Sequence, residues 1–409
     1  MGKKELELYI HIPFCVKKCK YCDFLSFPAD EGTQEAYVAA LKKEIAFYGR
    51  KYPERVLTTV YIGGGTPSWL TERHMAEILS EVFRSFTVAP EAEISIECNP
   101  GTITSHKFQV YRDSGINRLS IGLQSADNEE LKVLGRIHTW EQFLKTYEMA
   151  RNHGFSNINI DLMYSLPGQT AETWYASLQK VLRLRPEHIS AYSLIIEKGT
   201  PFYDLYKFDA VKQQAGLPTD ALPNEEEVYR MTKMTEQVLH EAGYEHYEVS
   251  NFALPGFACR HNIGYWKRAD YLGVGLGAAS LLDNIRYTNT GELYTYLEEA
   301  EHLRAGLWQQ EQADGTTAEL PAVNLHAAVE PVGRKAQMEE TMFLGLRMTE
   351  GVYRTDFERD FGIPVEAVYG TVLQRLQEEQ LLLKREGRIF LTERGQDVSN
   401  YVLAQFLLD

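Results

Sequence analysis

Tyr9-Ile-His-Ile-Pro-Phe-Cys15-Val-Lys-Lys-Cys19-Lys-Tyr-Cys22-Asp-Phe24 is an alternating, strand-like run that passes into a loop holding three of the chain's five cysteines. An odd cysteine count in a chain of 409 residues is not a disulfide framework. The triplet therefore needs another explanation. Thiolates are soft ligands that suit iron–sulfur clusters or zinc. A structural zinc site needs a fourth donor; His11 is the nearest, and strand alternation can turn it away from the loop. A cubane held by three thiolates leaves one iron open, and an open position is where a substrate or cofactor binds. Cys98 and Cys259 stand alone and read as core cysteines.

Outward from this loop, short β-branched runs alternate with helical periods, the sequence form of a parallel α/β sheet. Strands are expected at 6–12, 58–62, 93–98, 118–121, 157–162 and 188–194, and helices at 33–49, 72–86, 104–114, 140–153 and 171–184. Six such units fit a partial or complete barrel; an open doubly wound sheet shares the alternation. In a barrel, chemistry sits at the C-terminal strand ends. Gly63-Gly64-Gly65-Thr66, Glu97, Gln124 and Asp161 all close or follow strands, with Arg136 soon after the fourth, which favours the barrel.

Beyond Glu197 the pattern loosens. A Gly/Pro/Asp-bearing loop is expected at 199–223, a helix at 225–242 and a strand at 244–249. Alternate glycines at 272–277 read as a strand allowing close backbone approach, since no βαβ unit surrounds them. Ala, Gly, Thr and Pro without period at 309–331 read as a linker. A helix at 366–379, a hairpin at 382–391 turning on Glu386-Gly387, and a helix after Thr392 look like a winged-helix domain. The expected division is 1–285 barrel, 286–332 helix and linker, and 333–409 a mostly helical, winged-helix-like domain.

From Arg334 onward there are 10 Lys and Arg against 13 Asp and Glu, and the whole chain carries −15, so no nucleic-acid partner is expected. The apolar runs fall short of a membrane span, and no apolar signal core precedes the first strand. The expected location is the cytoplasm.

C-x-x-x-C-x-x-C after a first strand, with Tyr21 before the third cysteine, resembles the signature of the radical S-adenosylmethionine (SAM) superfamily. The resemblance implies an α/β fold built on a partial (β/α)6 TIM-like barrel. It also implies a [4Fe–4S] cluster on Cys15, Cys19 and Cys22, with SAM chelating the open iron. In that superfamily an electron from the cluster cleaves SAM to methionine and a 5′-deoxyadenosyl radical. The glycine run resembles the element that receives the methionine amino group, with Thr66 where Glu is common. Carried over position by position, Tyr9 and Tyr21 flank the adenine or the cluster. Gly64, Gly65 and Thr66 hold the methionine end, and Glu97, Gln124, Arg136 and Asp161 contact carboxylate and ribose.

Gly-Gly-Gly-Thr-Pro is typical of the coproporphyrinogen-dehydrogenase-like branch. Its oxygen-independent dehydrogenases typically read C-x-x-x-C-x-x-C-x-C and carry a long N-terminal arm. Here Phe24 takes the last position and fourteen residues precede Cys15. His261-Asn262-Ile-Gly-Tyr265-Trp266 matches the H-N-x-x-Y-W motif of the HemW family of heme chaperones. That resemblance makes His261 a candidate heme-iron ligand, with Tyr265 and Trp266 offering aromatic faces to the porphyrin. The residues alone fit a buried aromatic turn closing the barrel's end equally well.

The implied function is a SAM-binding iron–sulfur protein that binds heme and hands it to heme-accepting proteins. A flavodoxin- or ferredoxin-like reductant is implied with it, and SAM turnover is left open. Radical decarboxylation of a coproporphyrinogen propionate is the competing function. A metal-stabilised winged-helix regulator is disfavoured by the charge. Peripheral membrane contact and homodimerisation stay open.

Overall fold

Along the first strand Leu6, Leu8, Ile10 and Ile12 are buried in one core with Tyr37, Leu41 and Ile45 of the following helix. The intervening Glu7, Tyr9 and His11 turn to the other face, as strand alternation requires. A computed structural model describes residues 4–311 and 317–408. It repeats this arrangement through β1 (Lys4–Ile12), α1 (Glu31–Lys51), β2 (Arg55–Gly64), α2 (Glu72–Ser85), β3 (Thr87–Cys98), α3 (Ser105–Asp113) and β4 (Arg118–Gln124). There follow α4 (Asn128–Leu134), α5 (Trp140–Asn152), β5 (Ile158–Tyr164), α6 (Ala171–Leu182) and β6 (His188–Ser193). Side-chain caps start these helices, including full capping boxes at Thr139 and Thr170.

Strands β1 to β6 pair in parallel and in sequence order. If flat, the sheet would hold β1 and β6 ~24 Å apart. Instead Cys15, Gly64, Glu97, Gln124 and Tyr192, at or near the ends of their strands, and Asp161 in the middle of β5 line a single cavity. The sheet is curled into a partial barrel, as expected.

Next come α7 (Pro201–Gln214), α8 (Glu225–Glu241), β7 (Glu245–Glu248), β8 (Asn251–Ala253), α9 (Arg260–Trp266), β9 (Tyr271–Val274), β10 (Ala279–Leu282), β11 (Ile285–Asn289) and α10 (Leu293–Glu301). They are followed by β12 (Ala305–Glu311), β13 (Thr317–Val323) and β14 (His326–Pro331). The sheet order is β14-β11-β10-β9-β1-β2-β3-β4-β5-β6-β8-β7. The expected strand at 272–277 is realised as β9, parallel to β1, and ends in a turn.

Two expectations are corrected. The loop expected at 199–223 contains α7, opened by Thr200 as N-cap and Pro201 in the first turn. Its period is hidden because Leu205, Phe208 and Val211 face outward while the Asp209 carboxylate turns in to accept from the N–H groups of Asp220, Ala221 and Leu222. The linker expected at 309–331 contains the β12–β13 hairpin and β14, part of it lying outside the described residues. Val323, Leu325 and Val329 join the barrel core, and His326 bonds Tyr48 Oη at 2.9 Å.

The chain ends with α11 (Arg334–Gly345), β15 (Val352–Tyr353), α12 (Arg354–Phe361), α13 (Val365–Glu378), β16 (Leu382–Arg385), β17 (Arg388–Leu391), α14 (Glu393–Asp397) and α15 (Ser399–Ala404). These pack around their own core of Phe357, Leu373, Leu376, Ile389 and Phe406. The hairpin turns on Glu386 (φ 55) and Gly387 (φ 75), the positive pair that a two-residue turn demands. Among the described residues no helix is long and apolar enough to cross a membrane.

The C-terminal module is tied to the barrel through Glu340, whose carboxylate accepts from Arg268 Nε at 2.7 Å and Arg286 Nη2 at 2.9 Å. Glu340 and Arg268 are nearly buried. Glu340→Ala is expected to destabilise the protein by about 2–4 kcal/mol, because an unpaired guanidinium stays behind. Thermal melts and limited proteolysis between β14 and α11 read this out; an unchanged melt would show the pair to be idle.

Candidate functional site

The cysteine loop is stitched in place at both ends. Cys15 N donates to Phe27 O (3.1 Å) and Phe27 N to Pro13 O (2.8 Å), while Phe14 is fully buried edge-on to Tyr37 and Phe27. Lys20 N bonds Leu134 O at the end of α4, and Phe202 N of α7 bonds Lys20 O. The end of β2 runs alongside: Gly65 N bonds Ile12 O and Thr66 N bonds Phe14 O, both at 2.8 Å. A Cβ on Gly65 would stand 2.8 Å from Phe14 O and 3.0 Å from Cys15 Sγ, so only glycine permits this approach.

Cys15, Cys19 and Cys22 line a cavity of about 430 Å³ together with Tyr21, Gly64, Gly65, Thr66, Glu97, Gln124, Arg136 and Asp161. Among the described residues no three His, Cys, Asp or Glu side chains meet closely enough to hold one metal ion. Three thiols on one cavity give the donor set of a cubane with one iron left open. His11 is not a fourth donor, since its ring lies between Tyr9 Oη (3.0 Å) and Leu25 O (2.9 Å).

Each polar wall residue has a cause for its position. Glu97 accepts from Tyr61 Oη (3.1 Å) and Gly64 N (3.1 Å). Burial, then the charge of Asp161, pushes its carboxyl up to about 7. Asp161 accepts from Ser120 Oγ (3.0 Å) and Asn159 Nδ2 (2.7 Å), and burial raises it too. Gln124 follows an irregularity in the β4–β5 register and holds φ at 73°, a left-handed strain that turns it to the cavity. Tyr192 Oη donates to its Oε1 at 2.8 Å. Arg136 donates through Nη2 to Gly122 O (2.6 Å) and Asn99 Oδ1 (2.7 Å), and through Nη1 to Cys19 Sγ (3.5 Å). Its Nε is buried without a partner among the described residues, a donor suited to a ligand carboxylate.

Asn99, Tyr61, Ser120 and Tyr192 also line the cavity and were not singled out in the sequence. Tyr61 and Ser120 lie on the strands that carry the expected residues, Ser120 opposite Glu97 in the β3–β4 register. Strand register was the signal that could have found them.

Four expected site residues lie elsewhere. Tyr9 is not in the cavity wall; its ring stacks behind Tyr61 at 6.4 Å. The structure places His261, the candidate heme ligand, away from the cavity wall. The ring is buried, with Nδ1 at 2.6 Å from Thr59 Oγ1 and Nε2 at 3.0 Å from Tyr265 Oη, and it stacks on Tyr61 at 5.1 Å. Both ring nitrogens are engaged within the protein. Tyr265 packs edge-on to Tyr271, and Trp266 packs with Ile263 and Met348 beneath Arg347. Helix α9 is a plug at the N-terminal end of the strands. Glu93 of β3 accepts from the N–H groups of Arg260 and His261. A Cβ on Gly264 would stand 2.0 Å from Glu7 Oε1.

Residues 9–181 match the radical SAM superfamily and residues 332–398 the HemN C-terminal domain. The chain is 36% identical to a Lactococcus lactis subsp. lactis protein named heme chaperone HemW, over 100% of this chain and 99% of that one. It is 34% identical to the Bacillus subtilis protein of the same name, over 98% of each. A Danio rerio relative, radical S-adenosyl methionine domain-containing protein 1, mitochondrial, is 30% identical over 87% of this chain and 75% of that one. The solved Escherichia coli coproporphyrinogen III oxidase (HemN), a radical SAM enzyme, aligns with a TM-score of 0.79 at 22% identity, over 99% of this chain and 90% of that one. That likeness concerns the fold.

Burial, then the charge of Arg118, lowers His261 to about 3. A base whose folded value lies below its unfolded one lends stability that is complete above about pH 6.5 and is lost as pH falls toward 3. Over that window His261→Gln is expected to flatten the pH dependence of unfolding free energy by about one proton, ~1.4 kcal/mol per pH unit. Urea titrations at stepped pH measure the slope; equal slopes in both proteins would contradict a buried neutral ring.

Proposed function

The chain belongs to the HemW family of radical SAM proteins, hence binds a [4Fe–4S] cluster and SAM, and we propose that it is a heme chaperone delivering heme to acceptor proteins. In this reading Cys15, Cys19 and Cys22 are the cluster ligands. Gly64, Gly65, Thr66 and Glu97 receive the methionine end of SAM. Gln124 and Asp161 face the ribose, Arg136 takes the carboxylate, and Tyr21 flanks the cluster or the adenine. Bound, the cluster and SAM supply one-electron chemistry at the open iron. The chain's own residues orient SAM and exclude water: Arg136 offers its unpartnered Nε, and Glu97 offers a carboxylate whose charge a cationic ligand favours.

The observation that carries the cofactor reading is this convergence of three thiols, Arg136 and the carboxyls of Glu97 and Asp161 on one cavity. The chaperone reading rests on identity to proteins of that name along the full chain. Phe24 supports it, since it occupies the position of the dehydrogenases' further cysteine and is exposed at the cavity rim. The acceptors are proteins that lack heme until supplied, and the location proposed is the cytoplasm.

Two measurements test this. Anaerobically reconstituted protein is incubated with SAM and a reductant, once with heme and once with coproporphyrinogen III. Stoichiometric heme binding without decarboxylation is expected. Vinyl-bearing product with matching 5′-deoxyadenosine would make it a dehydrogenase. SAM affinity is expected to weaken as pH falls below about 7, because Glu97 then takes up a proton that binding must expel. Calorimetry in two buffers of different ionisation enthalpy detects that proton, and Glu97→Gln should abolish its release.

A further inference from the structure

The side-chain amide of Asn99 lies between the two parts of the cavity wall that face different cysteines. A guanidinium offers only donors, so the bond from Arg136 Nη2 at 2.7 Å fixes Asn99 Oδ1 as the acceptor. Asn99 Nδ2 then donates to Thr66 Oγ1 at 2.8 Å. The Thr66 hydroxyl, having accepted that bond, keeps its own proton for Cys15 Sγ, 3.4 Å away. A metal-bound thiolate has no proton and can only accept. At the other end of the chain of bonds Arg136 Nη1 donates to Cys19 Sγ at 3.5 Å. One amide thus orients a donor toward each of two of the three cluster thiols.

Asn99 is itself held firmly. Its N–H donates to Ser68 Oγ (3.0 Å) and its carbonyl accepts from Thr102 Oγ1 (2.7 Å). Buried Lys107 donates to Ser68 O (2.8 Å) and Thr102 O (3.0 Å), locking the turn after β3. These bonds account for the position of Asn99, and its side-chain amide bonds Thr66 and Arg136.

We propose that Asn99 is a positioning residue for the cluster: by aiming Thr66 and Arg136 at the sulfurs of Cys15 and Cys19 it raises the cluster's reduction potential. Reduction adds negative charge, and donors on sulfur together with a nearby cation stabilise the reduced form more than the oxidised one. The same amide anchors the guanidinium of Arg136, so potential and SAM carboxylate recognition share a residue.

Three variants separate this from a merely structural role. Asn99→Asp, nearly isosteric, keeps the acceptor for Arg136 but cannot donate to Thr66. The Thr66 proton then turns to the new carboxylate and away from Cys15, and a negative charge is added. Thr66→Val removes the Cys15 donor and leaves the amide in place. Asn99→Ala removes both anchors. Each full-length protein is reconstituted anaerobically, its iron and sulfide content measured, and its midpoint potential determined by mediator titration with paramagnetic resonance of the reduced cluster. Every variant is expected to shift to a more negative midpoint, with Asn99→Asp shifting most and Thr66→Val less. A wild-type midpoint in Asn99→Asp or in Thr66→Val, at full cluster content, overturns the proposal. Thr66→Val alone decides if neither Asn99 variant assembles a cluster.

Discussion

Two backbone hydrogen bonds clamp the end of β2 against the first turn of the cysteine loop: Gly65 N to Ile12 O and Thr66 N to Phe14 O. They form only because the glycine has no side chain, since Cys15 Sγ and Phe14 O already occupy the space of its Cβ. This contact sets the height of the whole site. It places Thr66 beside the first thiol, and through Asn99 it sets where Arg136 reaches the second. The curl of the sheet then brings Glu97, Gln124 and Asp161 to the same level. A bulkier residue at position 65 would separate the loop from the strand and dismantle this layer together.

The interior of the barrel carries polar groups in two storeys, which is costly for a protein core and is offset by pairing. The upper storey is the cavity wall. The lower one holds Glu7, Thr59, Glu93, Asn159, His188 and His261. Burial drives Glu7, His188 and His261 toward neutrality, raising Glu7 to about 8 and lowering both histidines. Arg118, fully buried, stays charged against the cost of that burial, with the carboxylate of Glu93 favouring its charge. Helix α9 closes the lower storey and also meets the C-terminal module, where Trp266 packs with Met348 and Thr349 N donates to Tyr247 O.

Much of this was legible in the sequence because some residues have few alternative uses. Three clustered thiols and a glycine run after the next strand constrain chemistry and backbone together. Single carboxyls at the ends of apolar strands do so as well. What was not legible had a different origin. Helix α7 was hidden because its apolar side chains point outward and a carboxylate points inward, inverting the usual pattern. The β12–β13 hairpin pairs with itself and is half exposed, so its sequence carries no buried period. The His-Asn-x-x-Tyr-Trp segment was legible only as a pair of alternatives. A histidine with two aromatic neighbours is the composition of a cofactor pocket and equally that of a plug, and its ring nitrogens here bond Thr59 and Tyr265. Asn99 was passed over because an asparagine before a proline reads as an ordinary turn.

The plug also governs traffic. With α9 stoppering the N-terminal end of the strands, ligands reach the cavity through its mouth at the strand C-termini, where Phe24 and Ile195 stand exposed. A shared mouth imposes an order of events on the ligands that use it. Whatever lies deepest must arrive first and depart last, so a large flat molecule resting on the rim would trap SAM beneath it. Exchange of the inner ligand becomes a clock for residence of the outer one.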